Sequence, residues 1–437
     1  MKRHSISAMT LSILFMGLGQ LYNRQLAKGI LYALIWSGLL WVSFDYLFEA
    51  IRGLITLGET PSGMVKVGRV YQMVQGDHSI FLMVEGLIAL FALLLIIGIY
   101  IMNVRDAYMN GLRRELGEPT KGIIDGLKGI EGKAFPYYVL LLPAISILFL
   151  TILPIVFNIL LAFTNYADPI LPPANLVDWV GFDNFRNLVQ LESWSRTFFG
   201  VLGWTVIWAV LATITTYFGG MLVAILINQD GIKLKKLWRT ILIIPFAIPN
   251  LVSLLVMRNL FNGQFGPINM FLRNVLGLEG VPWLTDPVWA KVTVILVNMW
   301  IGIPVSMILI SGVLTTIPRD LYEAAEVDGA SAFQRFRHIT LPWVLFSTAP
   351  ILIMQFAGNI NNFNVIFLLT NGDPVNPNYQ YAGSTDLLVT WLYKLTLNNQ
   401  QYNLSAVIGI IIFIIIASVS IYNFRKTRSY REEDMVV

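Results

Sequence analysis

The chain has 437 residues, 56% of them hydrophobic and 13% charged, with a net charge of +4 and a mean hydropathy of +0.66. Soluble domains carry about a quarter charged residues, so this composition excludes a water-soluble fold and points to an all-α polytopic membrane protein. The absence of cysteine excludes disulfides, thiolate metal sites and cysteine nucleophiles.

The first apolar stretch, SISAMTLSILFMGLGQLY at 5–22, follows Lys2 and Arg3 and imitates a secretory signal. It lacks a small-residue cleavage site and runs into further polar text. It reads as an interfacial or re-entrant cytoplasmic segment, with a ninth span as the alternative. Apolar windows of roughly 20 residues, the length a helix needs to cross hydrocarbon, then fall near 30–48, 81–103, 137–163, 198–227, 240–261, 290–313, 345–369 and 404–424. They predict about eight transmembrane helices. Of the 30 lysines and arginines, 21 lie in the termini and loops of one side and 7 in the loops of the other. The positive-inside rule places both termini in the cytoplasm of a plasma membrane.

A basic, Gly-containing linker at 104–136 divides the chain. Residues 1–136 form a re-entrant segment with two accessory spans, residues 137–424 the functional bundle, and residues 425–437 a cytoplasmic tail. Most span interiors of the bundle contain no Asp, Glu, Lys, Arg or His, which disfavours a carrier that moves charge through buried ionisable groups. His4, His78 and His338 are scattered, without metal-ligand spacing, and no H-E-x-x-H or G-x-S-x-G occurs. GLKGIEGKA at 126–134 lacks the G-x-x-x-x-G-K-[ST] that cradles nucleotide phosphates. Any energy for work therefore comes from a partner.

Polar groups inside the spans are few. Gln355, Asn359 and Asn362 follow i, i+4, i+7 and share one helical face, as do Asn298, Gly302 and Val305. Four asparagines within 359–364 face a cavity or bond across helices, and both readings stay open. Pro245, Pro249, Pro304 and Pro350 interrupt spans as hinges or static kinks.

Between the sixth and seventh windows lies EAAEVDGASAFQRFRHITLP at 323–342. RDLYEAAEV reads as a short helix, Asp328-Gly329 as a turn, and Ser331 with Gln334 as a capping box that starts a second helix exposing Phe333, Arg335, Phe336 and Arg337. The product is a helix–turn–helix knob, with an interfacial amphipathic loop as the alternative. Beyond it, Leu387, Leu388, Trp391, Leu392 and Leu395 form an apolar stripe beginning after Ser384, expected as an interfacial helix in the outside loop.

E-A-A-x-x-D-G-A with its continuation resembles the cytoplasmic coupling loop of binding-protein-dependent ABC transporter permeases, here spanning 315–342. VGFDNF at 180–185, RTILIIPFAIP at 239–249, VNMWIGIP at 297–304 and NNFNVIFLLTNGDP at 361–374 resemble the carbohydrate-uptake branch, especially maltose and maltodextrin permease subunits with extra N-terminal helices. The resemblance implies a type I importer bundle and a transport subunit with no nucleotide site of its own, in a bacterial cell membrane. ATPase coupling would fall on Glu323, Ala324, Ala325, Asp328, Gly329, Ala330, Phe333 and Phe336. Sugar contacts would fall on Asn298, Ile301, Gly302, Gln355, Gly358, Asn359 and Asn362. ATP and Mg would bind only at the partner ATPase dimer; the other implied partners are a second permease, an extracellular sugar-binding protein, an oligosaccharide and the bilayer, with no nucleic acid. The outside loop 164–197 is too short for the extra domain some maltose-type members carry, which favours a lipid-anchored binding protein. An ion-coupled secondary carrier or a polytopic membrane transferase remains the alternative function.

Overall fold

The computed structural model describes residues 3–42, 46–67, 70–122, 135–229 and 231–426. The chain divides into two compact units, Met1–Gly181 and Phe182–Val437. Of the expected linker at 104–136, residues 104–115 are the end of a long helix, Ser79–Glu115, and 123–134 lie outside the described residues, as does most of the expected tail.

In the first unit, α1 (Arg3–Leu14) has 12 residues, too few to cross a bilayer. Its chain turns back at Gly17, whose φ of +99° puts it in the left-handed region and whose missing Cβ lets Gly29 approach closely. α2 (Leu18–Tyr22) and α3 (Leu26–Val42) follow. α1 lies on the polar half of the long α5 (Ser79–Glu115) through Ser5, Ala8, Ala107 and Gly111. The seam is stitched by Lys28–Asp106 at 2.7 Å, by Gln20 Nε2 donating to Asp106, and by Asn23 Nδ2 donating to Ala107 O. α4 (Phe48–Thr56) packs on the other half of α5. Between them the antiparallel hairpin of β1 (Gly63–Val67) and β2 (Val70–Val74) pairs Met64 with Met73 and Lys66 with Tyr71. The window at 137–163 becomes α6 (Phe135–Ile147), a π-helical turn at Leu148–Ile152, and α7 (Leu153–Leu161). Pro154 follows that turn, because a proline offers no N–H to the carbonyl four residues back and crowds it.

In the second unit, short α8 (Asp183–Gln190) precedes α9 (Glu192–Asn228), 37 residues long, about 55 Å at 1.5 Å per residue. α9 packs closely on α13 (Pro287–Leu314) because glycines face bulk across the seam. A Cβ on Gly220 would stand 2.4 Å from Ser306 Cβ, and one on Gly302 would stand 2.5 Å from Thr216 Cγ2. Asp286 caps α13 by accepting from the Val288 and Trp289 N–H groups. The window at 240–261 does not form one straight span. α10 (Lys235–Ala247) and α11 (Asn250–Leu260) meet at 91°. Ile248, the residue before Pro249, is extended with ψ 132°, as steric conflict with the proline ring demands. α12 (Pro267–Asn274) is a short connection held by Asn269, which bonds Gly263 O, Val281 N and O, and Trp283 Nε1.

The coupling segment contributes α14 (Arg319–Val327) and α15 (Ala332–Arg335), followed by a second π-helical turn at Phe336–Thr340, again just before a Leu-Pro pair. α16 (Leu341–Ile360) and α17 (Phe363–Leu369) fill the 345–369 window as two helices; α18 (Leu388–Leu397) and α19 (Tyr402–Lys426) complete the chain. Six helical spans are long and apolar enough to cross a membrane among the described residues, seven with the bent pair, while α3 is apolar but shorter. Two buried clusters hold this unit together. One joins Trp204, Trp208, Leu254, Val297, Ile366 and Leu387, the other Tyr217, Met221, Ile227, Met307, Ile310 and Val344.

Candidate functional site

The helix pair at 319–335 is built as its residues dictate. α14 ends in a left-handed glycine cap: Gly329, φ +75°, donates to Glu326 O, and Ala330 N–H reaches back to Ala325 O at 2.8 Å. Ser331 Oγ accepts from Gln334 N–H while Gln334 Oε1 accepts from Ser331 N–H at 2.7 Å, a reciprocal capping box. No residue of α14 or α15 is buried. Glu323, Ala324, Asp328 and Gly329 are exposed, Ala325 and Ala330 half-buried. Val327 is 88% exposed and Phe333 66%, apolar side chains that an isolated segment would gain by covering.

Phe336 departs from its expected exposure. The π-helical turn carries it inward, where it packs on the cluster of Tyr217, Met221, Met307 and Val344. Arg335 is likewise half-buried and pairs with Glu326 at 3.5 Å. Tyr322 Oη meets Thr340 Oγ1 at 2.8 Å, and Trp343 Nε1 donates to Thr316 Oγ1. The knob is thus tied to the C-terminal end of α13 and the N-terminal end of α16, with one face of it left open.

The span amides divide between two roles. Asn359, 7% exposed, donates from Nδ2 to Thr213 Oγ1 at 2.9 Å, and its backbone carbonyl accepts the Trp208 indole N–H. Gln355 Nε2 donates to Thr216 Oγ1 at 2.8 Å, the residue against which Gly302 is pressed. Both amides tie α16 to α9. α16 ends at Ile360, yet Asn362 stays beside Asn359: as the N-cap of α17 it accepts from Val365 N–H on Oδ1 and donates from Nδ2 to Asn359 Oδ1 at 3.5 Å. The asparagine run is therefore a helix break whose freed backbone groups are met by side-chain amides. Asn298, 7% exposed, makes no side-chain hydrogen bond among the described residues. Ile301 is partly buried beside the Trp204 cluster, and Gly358 is exposed with open space at its Cβ position.

The stripe expected as an interfacial helix is interior. Leu387, Leu388, Trp391 and Leu395 are fully buried, and α18 begins at Leu388, with Thr390 Oγ1 accepting from Leu387 N–H. Beside it the buried Asp386 carboxylate accepts from Lys394 Nζ and Gly383 N–H, each at 2.7 Å, and from Thr390 Oγ1. Burial pushes the Asp386 carboxyl up, against the pull of the Lys394 ammonium and the Gly383 N–H. Thr385 accepts the Trp204 indole N–H on its carbonyl and meets Thr370 Oγ1. Leu388 N–H donates to Thr205. The 370–387 loop is an ordered cap on the bundle.

Sequence reasoning missed the threonine face of α9. Thr205, Thr213 and Thr216, with Tyr217 Oη at 2.6 Å from Thr348 Oγ1, receive the polar groups of the other helices. The signal was present: Thr205, Thr213, Thr216 and Gly220 recur along one side of an otherwise apolar span. Among the described residues no cluster of three or more His, Asp or Glu could hold a metal ion.

Comparison with known proteins agrees with this architecture. The family model of the binding-protein-dependent transport system inner membrane component matches residues 217–427. The galactooligosaccharides transport system permease protein GanP of Bacillus subtilis is 39% identical over 432 residues, covering 99% of this chain and 100% of that protein. The maltodextrin transport system permease protein MdxF of the same organism is 36% identical, covering 96% and 95%. A solved bacterial ABC transporter involved in the import of the acidic polysaccharide alginate aligns with a TM-score of 0.56 at 25% identity, over 69% of this chain and 99% of that one. The chain belongs to the binding-protein-dependent transport system inner membrane components, the multi-span permeases of type I ABC importers.

Proposed function

We propose that this chain is one of two homologous permeases of an ATP-driven importer, passing an oligosaccharide of the maltodextrin or galactooligosaccharide class from an extracellular binding protein into the cytoplasm. The observation that carries the reading is the exposed knob at 319–335, rooted in the inner core through Phe336. The names of the full-length relatives support the substrate class. In this reading both termini are cytoplasmic, residues 1–136 are accessory and 137–424 form the transport bundle.

A cytoplasmic ATPase dimer binds ATP and Mg and closes on hydrolytic cycling; the knob sits in a cleft of one ATPase. Ala324, Ala325 and Ala330 leave room for close approach, Phe333 supplies apolar contact, and Glu323 and Asp328 supply charge at the rim. Gly329 sets the angle between the two helices. A force on the knob reaches α9, α13 and α16 together, because Phe336 packs where the three meet. The sugar path uses Asn298, Ile301, Gly302, Gln355, Gly358, Asn359 and Asn362. Of these, Asn298 offers an uncommitted amide, and Gln355 and Asn359 hold the helices that shape the path.

The test is uptake of labelled maltodextrin and galactooligosaccharide into proteoliposomes holding the chain, its sister permease, the ATPase and the binding protein. Uptake requires the full set and ATP. Gly329→Asp, which places a charged side chain on left-handed backbone that favours glycine, and Glu323→Lys each reduce it at least tenfold while the chain stays in the membrane. Uptake by the chain alone, or driven by an ion gradient without ATP, would overturn the proposal.

A further inference from the structure

We propose that Lys291 and the pocket it lines form a receptor site for a carboxylate presented from outside the membrane; the side it faces rests on the orientation in the proposed function. The pocket, about 200 Å³, lies under the 370–387 loop and is lined by Trp204, Lys291, Asn376, Tyr379, Ser384 and Asp386 among others. Through Tyr379 and Pro377 it adjoins an open groove of about 500 Å³ that includes Trp194 and Arg196. A carboxylate-bearing side chain fits such a volume and has an entrance.

Charge supplies the reason for the ligand class. Lys291 sits just inside the start of α13, half-buried, with its ammonium 4.8 Å from the centre of the Trp204 ring. Among the described residues its ammonium makes no hydrogen bond and no ion pair. The one acid in the lining, Asp386, is committed to Lys394, Thr390 and the Gly383 N–H. An aromatic face offsets only part of the cost of withdrawing an ammonium from water, and a carboxylate completes it with a charge-assisted hydrogen bond. Asn376 Oδ1 accepts the Asn378 N–H, which leaves its amino group as a second donor beside the Ser384 and Tyr379 hydroxyls. The site is also held in shape. Trp204 Nε1 donates to Thr385 O, Gln380 N–H to Thr197 Oγ1, and Ser384 N–H to Pro374 O. Such preorganisation lowers the ordering cost of binding.

Two sources present a carboxylate here: an acidic side chain of the solute-binding protein as it docks, and an acidic sugar in the substrate. The experiment uses the assembled transporter in nanodiscs, wild type against Lys291→Gln, Lys291→Arg and Asn376→Asp. It reads the affinity of the purified binding protein at 20 and 300 mM NaCl, and uptake of neutral and uronate-containing oligosaccharides. If the binding protein supplies the group, Lys291→Gln weakens docking about tenfold at low salt and much less at high salt, Lys291→Arg retains it, and carbodiimide links Lys291 to an Asp or Glu of the binding protein. If the substrate supplies it, docking is unchanged and uronate uptake alone falls. Asn376→Asp places a resident carboxylate beside Lys291 and reproduces the loss, which keeps the test alive should Lys291→Gln fail to assemble. Variants that dock and transport both sugars like wild type, or that lose neutral-sugar uptake alone, overturn the site. A wild-type set that binds no solute-binding protein and imports nothing overturns the proposed function, and this inference with it.

Discussion

Asn359 holds two helices with two different atoms, its amide on Thr213 and its carbonyl on the Trp208 indole. Replacement by alanine removes the first bond and the long, 3.5 Å bond that Asn359 Oδ1 accepts from Asn362 Nδ2, and leaves the second, which belongs to the backbone. Interhelical hydrogen bonds of this kind contribute about 0.6 kcal/mol on average, so Thr213→Ala and Asn359→Ala should lower thermal stability by similar small amounts and together by no more than either. If Asn359 also touches sugar, it alone raises the KM for uptake; equal KM values in the two variants would leave it a structural tie. Asp77 illustrates a different residue-scale control. Its carboxylate accepts from the Glu59 and Thr60 N–H groups and from Thr60 Oγ1, closing the base of the β-hairpin, and the Glu59 and Thr60 N–H groups hold its pKa below the ordinary 3.8. The sign follows from linkage: a depressed carboxyl stabilises above its ordinary value, and the contribution is lost as pH falls through the folded value. Protection of the Glu59 and Thr60 amides, their exchange measured against the intrinsic rate at each pH, should therefore be high at neutral pH and fall below the ordinary carboxyl range, and Asp77→Asn, a neutral and weaker acceptor, should show the lowered protection already at pH 7.

The seam between α9 and α13 depends on what is missing from it. Gly220 brings its backbone against Ser306 and Met307, so Gly220→Leu should overpack the seam, cost about 1–3 kcal/mol, and lower the melting temperature of the purified complex; Gly203→Leu, on the same helix but facing open space, should not. These elements differ in how readily the sequence discloses them. Hydropathy windows locate each span, and local signals such as Asp328-Gly329 and Ser331 with Gln334 locate the knob and its caps, because turn and cap chemistry is settled within a few residues. The right angle at Pro249 was only half legible: proline marks a break but not its magnitude. The same limit explains Phe336, whose inward turn comes from the π-helical register before Pro342, and the 387–395 stripe, whose partners lie some 180 residues earlier on α9. A helical apolar face looks alike whether lipid or protein covers it. Helical spacing puts Asn362 beside Asn359, and that contact survives the break at Ile360 because Asn362 caps the next helix from the same place.

At the scale of the whole permease, the proposed function requires that motion at the knob reach the sugar path. The knob itself contributes no buried residue, so a displacement of it would be passed on through its attachments: Phe336 in the Tyr217–Met307–Val344 cluster, Tyr322 on Thr340, and Trp343 on Thr316. Of these only Phe336 touches the cluster that also contains Tyr217 of α9, Met307 of α13 and Val344 of α16. α16 in turn is bonded to α9 farther along by Gln355–Thr216 and Asn359–Thr213. A lever of this form moves the helices as a set while the root is packed, and slips when it is not. On the proposed function, in which the ATPase contacts are exposed Phe333 and Glu323, Phe336→Ala should therefore preserve assembly with the ATPase yet separate hydrolysis from transport. ATPase activity in nanodiscs should lose most of its stimulation by sugar-loaded binding protein, and uptake per ATP should fall several-fold; Phe336→Leu, which refills much of the volume, should recover most of both. Loss of ATPase binding in Phe336→Ala would instead place Phe336 in the contact surface itself. Unchanged coupling would move the root of the lever to Tyr322 and Trp343.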